Sequence, residues 1–299
     1  MRGVFERVAE ESKGCVSETD FSFASHTTAG IGGAAPLCLY PESVPAAGRA
    51  LRVLKKYGVP YVVLGSGANV LAADRGFDGA VVSTDRMRTI SLGGETVYAE
   101  SGVRAARLLR ALADAGLGGF AFMAGIPASV GGAVYMNAGT ARGHIGDRVL
   151  SVSAFTEEGD LRGFTVEGCA FGYKHTVFTG RGMLIASVQL RAECCGRERA
   201  LAEIRQVLAE RARLPKGRSM GCVFKNPEGV SAGALIESAG MKGAREGGAF
   251  VSDKHANFII NGGKASAKDV RALIERVRRA VFAKTGVALT EEIVYIGED

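Results

Sequence analysis

Residues 125–139 read G-I-P-A-S-V-G-G-A-V-Y-M-N-A-G. Glycine stands at 125, 131, 132 and 139, and the strong hydrogen-bonding side chains are Ser129 and Asn137, with Tyr135 as a third. Glycine takes backbone angles that other residues refuse and lets another group approach the main chain closely. An uncharged stretch with so much accessible backbone suits a flat, phosphate-bearing cofactor held by main-chain N–H groups. A buried glycine turn between two core strands fits the same letters, because a single glycine cluster is a weak signal. A second loop upstream shifts the balance. Residues 59–71, V-P-Y-V-V-L-G-S-G-A-N-V-L, run a β-branched strand straight into Gly65, Ser66, Gly67, Ala68 and Asn69 and then into another apolar run. Folds use a strand followed by a tight glycine turn to aim successive N–H groups at a phosphate. No G-K-[ST] follows, which excludes a Walker loop, and Val70 stands where G-x-G-x-x-G needs its third glycine. A hairpin turn is the competing reading of this segment.

The rest of the composition narrows the class. Over 299 residues, 47% are hydrophobic and 23% charged, an ordinary globular balance with room for about two or three domains. No apolar run approaches the ~20 residues of a membrane span. The opening M-R-G-V-F-E-R-V-A-E-E lacks the apolar core of a signal peptide, so a cytoplasmic protein without membrane insertion is expected. The net charge of +6 is modest, and the 37 basic residues are spread out, the densest cluster being R-V-R-R at 276–279. Nucleic-acid binding calls for a basic stripe with aromatic platforms. Aromatics make up only 7% and Trp is absent, so no nucleic-acid partner is expected, whereas a mild positive balance suits an anionic small molecule. The six cysteines (15, 38, 169, 194, 195, 222) form no C-x-x-C pair and the four histidines are scattered, which argues for reduced thiols and no metal site.

Read in order, the pattern is α+β. Residues 1–20 read as an amphipathic helix, V-F-E-R-V-A-E-E, followed by polar residues, 26–41 as a glycine turn leading into a strand, and 42–57 as a helix closed by Gly58. Short strands follow between 79 and 103, then a helix over 104–115, and a hairpin pattern over 150–165 around Gly159. A strand over 183–190 and a charged helix over 197–213 precede a boundary near 195–215. Beyond it come a strand G-C-V-F (221–224), a helix over 232–240, strands A-F-V-S and N-F-I-I-N, a helix over 268–285 and a closing strand E-E-I-V-Y-I (291–296). The many short strands show no regular βαβ alternation.

Taken together, G-S-G-A-N-V-L (65–71), residues 125–139, F-G-Y-K (171–174) and G-C-V-F-K-N-P (221–227) resemble one family. A-G-A-L-I-E-S-A-G-M-K-G (232–243), H-A-N-F-I-I-N (255–261) and L-T-E-E-I-V-Y-I-G (289–297) continue the resemblance over about residues 20–299. The family is UDP-N-acetylenolpyruvoylglucosamine reductase, the flavoenzyme that completes UDP-N-acetylmuramate in peptidoglycan synthesis. The resemblance implies a two-part FAD-binding module of the vanillyl-alcohol-oxidase (PCMH) type, residues 1–80 and 81–213, and an α+β substrate domain, residues 214–299. It implies a monomer that uses FAD and NADPH, hydride passing by way of FAD to the enolpyruvyl double bond of a UDP-sugar. Gly65, Ser66, Gly67, Ala68 and Asn69 would cradle the FAD diphosphate, and Gly125, Ile126, Pro127, Ser129, Gly131, Gly132 and Asn137 would line the flavin.

Hydride addition leaves negative charge beside a carboxylate, which calls for a cation or donor and for an acid. Cys222 falls at the family's proton-donor position, where many members carry Ser, and a thiol gives up a proton more readily than a hydroxyl. A small buried hydrophobe is the competing reading of a free cysteine. Glu292 matches the second acid of the L-x-x-E-[IV] ending, and strand alternation would set it on one face with Val294 and Ile296. Tyr173 and Lys174 match a family Tyr-Arg. Lysine keeps the charge but loses the planar fork that grips a carboxylate at two points. Arg213 and Asn226 match substrate-contact positions, Lys225 is a possible helper, and His255 and Asn257 read as ordering the domain. Ala141 replaces a family tyrosine, with Arg142 able to cover the same surface, and the chain resembles the shorter branch without a tyrosine-bearing insertion. The alternatives are another FAD oxidoreductase of the same fold and a flavin-binding module without turnover.

Overall fold

The computed structural model describes residues 2–298. They form two compact units, one of Met1–Phe21, Pro36–Ser66 and Gly79–Ala212, the other of Ser22–Ala35, Gly67–Asp78 and Arg213–Asp299. The second unit thus joins two short N-terminal segments to the C-terminal part of the chain.

In the first unit a four-stranded sheet runs in the order Cys15–Ser22, Ala34–Pro41, Ala80–Ser83, Tyr61–Leu64, and Ala80–Ser83 pairs in parallel with both Ala34–Pro41 and Tyr61–Leu64. All four residues of Ala80–Ser83 are buried, as a parallel strand covered on both faces requires. Helix Val44–Lys56 begins where the Ser43 hydroxyl accepts from Ala46 N and Pro45 occupies the first turn. Its buried Ala46, Ala47, Ala50, Leu51 and Leu54 carry the apolar stripe into the core. Gly48 allows close approach, since a Cβ there would lie 2.6 Å from the Phe155 ring. A second, antiparallel sheet orders Leu161–Thr165, Val149–Phe155, Leu184–Arg191, Thr96–Glu100 and Ile90–Gly93. Helices Ala105–Asp114 and Arg197–Arg211 share a core with it through Leu108, Leu112 and Val207.

The second unit holds an antiparallel sheet of Arg218–Cys222, Phe258–Asn261, Ala249–Val251 and Arg245–Glu246, and a parallel pair, Val70–Ala72 with Val294–Ile296. Helix Ala267–Thr285 opens with a capping box between Ser266 and Asp269 and closes at Gly286, φ +72°. The Asp74 carboxylate accepts from Ala267 N at 2.8 Å and Lys268 N at 3.1 Å, so two more of the helix's orphan donors are satisfied from a distant segment. The helix buries Val270, Leu273, Ile274, Val277 and Val281, an i, i+3, i+4 stripe.

Three sequence expectations need correction. The first helix ends at Glu11 with the run V-F-E-R-V-A-E-E, but the polar residues expected to follow it form, after Gly14 turns the chain at φ +80°, strand Cys15–Ser22. The strand expected over 221–224 is Arg218–Cys222. The closing strand is only Val294–Ile296, so Glu292 precedes it, and burial falls on Ile293 and Ile296 instead of alternating. Glu292 therefore shares no strand face with Val294 and Ile296.

Burial also sorts the thiols. It pushes Cys15 and Cys169 up to about 11 and Cys38 up to about 12, whereas Cys194 is exposed. The thiolate is the reactive form. Iodoacetamide at pH 8, followed by peptide mass spectrometry, is expected to label Cys194 first and Cys15, Cys38 and Cys169 only after unfolding. Early labelling of any of those three would contradict the packing described.

Candidate active site

The first glycine loop leaves the C-terminal end of Tyr61–Leu64 and crosses from one unit to the other between Ser66 and Gly67. Tyr61–Leu64 pairs with Ala80–Ser83, and Val70–Ala72 pairs with Val294–Ile296, so the loop is not the turn of a hairpin. No backbone hydrogen bond among the described residues uses the N–H groups of Gly65, Ser66, Gly67, Ala68 or Asn69. Successive main-chain N–H groups of this kind suit an acceptor-rich, anionic ligand. The glycines are sterically required. A Cβ on Gly65 would lie 2.5 Å from Ser129 Oγ, and Gly67, at φ +64°, has His26 O 2.5 Å from where its Cβ would be. On the second unit's side, Thr28 N donates to Gly67 O at 3.1 Å and Thr28 Oγ1 donates to Ser219 O at 2.7 Å, tying the loop to the strand that ends in Cys222. Thr28 was missed in the sequence. H-T-T-A-G reads only as a turn, and no local pattern announces a partner 191 residues away.

The second stretch is more than a turn. Ser129 caps a short helix, Val130–Tyr135, its hydroxyl accepting from Gly132 N at 3.3 Å. Asn137, at φ +45°, ends that helix, with Ala138 N reaching back to Ala133 O at 2.7 Å, the geometry of a left-handed C-terminal cap. Val130 N bonds to Val103 O and Gly131 N to Ser101 O. These N–H groups are thus occupied within the protein, unlike those of residues 65–69. Gly131 sits against Ser101, whose Cβ would be 2.6 Å from a Cβ at 131, and Gly125, at φ +75°, lies beneath the Arg211 side chain. Ile126 and Pro127 lie between them in the same loop.

Tyr173 and Lys174 belong to the first unit and occupy the middle of a four-residue turn closed by Gly172 N to His175 O at 2.9 Å. Tyr173 is 51% exposed and Lys174 half-buried at φ +54°. A left-handed backbone costs an L-residue about 1–2 kcal/mol, and such conformations cluster at functional positions. The turn runs on to strand Leu184–Arg191 with no further helix or strand between them. The Arg142 guanidinium pairs with Glu210 at 2.5 Å.

In the second unit, Cys222 closes strand Arg218–Cys222 just after a register shift, with Gly221 at φ +78°. Such a bulge re-aims the side chain that follows it. Val223 is held on both sides, its N–H by Asn257 O at 2.9 Å and its carbonyl by Glu292 N at 2.7 Å. Asn257 is buried, and its amide takes both polar groups of Phe224 at 2.8 Å, so it orders the strap. Glu292 O accepts from Asn69 Nδ2 at 3.0 Å, which brings the end of the glycine loop, the Cys222 strap and Glu292 together within one unit. Glu291, by contrast, is engaged by Tyr295 Oη and by Arg278 at 3.5 Å. Burial first, and then that carboxylate, raise the Tyr295 hydroxyl out of the usual range. Asn226 Oδ1 accepts from Ala232 N at 3.0 Å, and Arg213 lies exposed in the turn after Ala212. His255 packs edge-on to Phe258 at 5.0 Å between ring centroids, and burial lowers its pKa. Among the described residues no group of three or more His, Cys, Asp or Glu could hold a metal ion, and no helix is long and apolar enough to cross a membrane.

The chain carries an FAD-binding domain. Residues 35–165 match the FAD binding domain model. Residues 213–296 match the model of the UDP-N-acetylenolpyruvoylglucosamine reductase C-terminal domain. The UDP-N-acetylenolpyruvoylglucosamine reductase of Moorella thermoacetica is 40% identical over 284 residues, covering 94% of this chain and 93% of the relative. That of Geobacter metallireducens is 37% identical over 299 residues, covering 99% of both. The crystal structure of the enzyme from Thermus caldophilus superimposes with a TM-score of 0.81 at 34% identity, covering 95% of this chain and 99% of that one. The chain belongs to the UDP-N-acetylenolpyruvoylglucosamine reductase family.

Proposed function

We propose that this protein reduces the enolpyruvyl group of UDP-N-acetylglucosamine enolpyruvate to give UDP-N-acetylmuramate, a step in peptidoglycan precursor synthesis, with NADPH as reductant. The observation that carries the reading is the row of five main-chain N–H groups, at Gly65, Ser66, Gly67, Ala68 and Asn69, that no backbone hydrogen bond among the described residues uses, in a chain whose C-terminal part matches the reductase family model. Those residues hold the FAD diphosphate, and Gly125, Ile126, Pro127, Ser129, Gly131 and Gly132 line its flavin. FAD, when bound, carries hydride from NADPH to the terminal carbon of the enolpyruvyl double bond. Residues 1–80 and 81–213 make up the two parts of the FAD module and residues 214–299 the substrate domain. The enzyme acts as a cytoplasmic monomer, where the sugar nucleotide and NADPH are both available.

Lys174 holds the substrate carboxylate and offsets the negative charge that grows beside it during reduction. Its ammonium supplies the charge without the two-point grip of a guanidinium. Cys222 delivers a proton to the carbon bearing that carboxylate, so hydride and proton together saturate the double bond. Glu292 organises charge at the same carbon as a second acid. Tyr173, Arg213 and Asn226 contact the sugar nucleotide.

The decisive test uses colour. The purified protein is expected to be yellow, to bleach with NADPH in the absence of oxygen, and to regain its colour on addition of the enolpyruvyl substrate. Bleaching with no return of colour on substrate addition would refute the reductase reading and leave a flavoprotein of another specificity.

A further inference from the structure

Asn137 ends the cofactor-side stretch, yet its side chain points at a different job. It is 7% exposed, and its amide spans two other segments: Nδ2 donates to Gly172 O at 2.9 Å, and Oδ1 accepts from Gly146 N at 3.0 Å. Gly146 must lack a side chain there, since a Cβ would lie 2.8 Å from Asn137 Oδ1. Gly172 O also accepts from His175 N at 3.4 Å, so this one carbonyl closes the turn that presents Tyr173 and Lys174 and anchors it to Asn137. Two residues earlier, Tyr135 grips the far side of the same segment. Tyr135 O accepts from Thr176 Oγ1 at 2.9 Å and Thr179 Oγ1 at 3.2 Å, and Tyr135 Oη accepts from Gly180 N at 3.0 Å. Thr176 is 0% exposed, so the grip is sheltered from water.

Lys174 keeps a left-handed backbone, which persists only where surrounding structure over-determines it. The clamp supplies that constraint from both ends of the turn. We infer that Asn137 is a positioning residue: with Tyr135 it fixes the 172–175 turn and so the direction of the Lys174 ammonium, and it acts on the reaction through Lys174 alone. This rests on the role given to Lys174 above. The same short stretch that walls the cofactor therefore sets where the carboxylate-binding cation stands.

Asn137→Asp isolates the effect. Aspartate tolerates the left-handed backbone and keeps an oxygen for Gly146 N, but it removes the donor to Gly172 O. Hydrogen exchange on the FAD-loaded enzyme is read over residues 172–176, with strand Leu184–Arg191 as internal reference. Exchange over 172–176 is expected to quicken by about 10-fold while the strand is unaffected, as local opening without global loss requires. Reoxidation by the enolpyruvyl substrate is expected to fall about 10-fold more than bleaching by NADPH, the order of loss a small misplacement of a reacting group brings. In a Lys174→Gly background the same change is expected to cost less than about 3-fold, because the two residues act as a unit. Unchanged exchange over 172–176, equal losses in both half-reactions, or an undiminished cost without Lys174 would each overturn the inference. Should the aspartate variant not fold, Asn137→Gly keeps the backbone and removes the amide, and the same three readouts decide. Wild-type protein that does not turn over the substrate would refute the proposed function instead, and the exchange measurement would still judge the clamp.

Discussion

Replacing Cys222 by alanine is expected to slow reduction of the enolpyruvyl substrate by about 10²–10⁴-fold, the range for a lost general acid. Bleaching by NADPH should fall far less, because proton delivery to the substrate has no part in it. The thiol follows a bulge at Gly221, and the next residue is pinned by Asn257 on one side and by Glu292 on the other. A side chain at that point is aimed by its backbone, and small substitutions will not re-aim it. Cys222→Ser keeps a proton at the same place and is expected to retain most of the rate. Stopped-flow absorbance of the two half-reactions separates these outcomes, and equal losses in both for Cys222→Ala would remove the acid role.

Lys174→Gly is expected to move stability and activity in opposite directions. Glycine relieves a left-handed backbone worth about 1–2 kcal/mol but makes the unfolded chain more flexible by about 0.5–1 kcal/mol. Thermal midpoints should therefore stay level or rise by up to about 3 °C. Substrate reduction should fall by about 10²–10³-fold, as when one fixed charge-stabilising group is removed. Lys174→Arg, which restores the charge with a planar fork, is expected to match or exceed the parent. A glycine variant that melts lower and loses both half-reactions together would mark Lys174 as a structural residue only.

Much of this was readable beforehand, and the failures share one cause. Gly65–Ser66–Gly67 announced a donor loop because glycine's freedom and a preceding β-branched strand are local properties. The helix 267–285 was placed within one residue because its apolar spacing and caps are local too. Strand Cys15–Ser22 was missed because its pairing with Ala34–Pro41 outweighs a helical pattern that Gly14 had already ended. Glu292 was given a strand face by alternation, but its position comes from Val223 and Asn69.

The sequence by itself determined the family and the cofactor class, because the motifs that carry the resemblance are runs of neighbouring residues, and that resemblance nominated the cation, the thiol and the carboxylate proposed above. Tertiary structure alone decided which main-chain donors remain open and which are used. No backbone hydrogen bond among the described residues uses the N–H groups of residues 65–69, whereas those of Ile126, Val130 and Gly131 are engaged. The tertiary structure alone joined Asn69 to Glu292, 223 residues apart, and Asn137 to Gly172, 35 apart. Hydrogen bonds across such separations depend on how sheets and helices pack, and no periodicity in the chain records them.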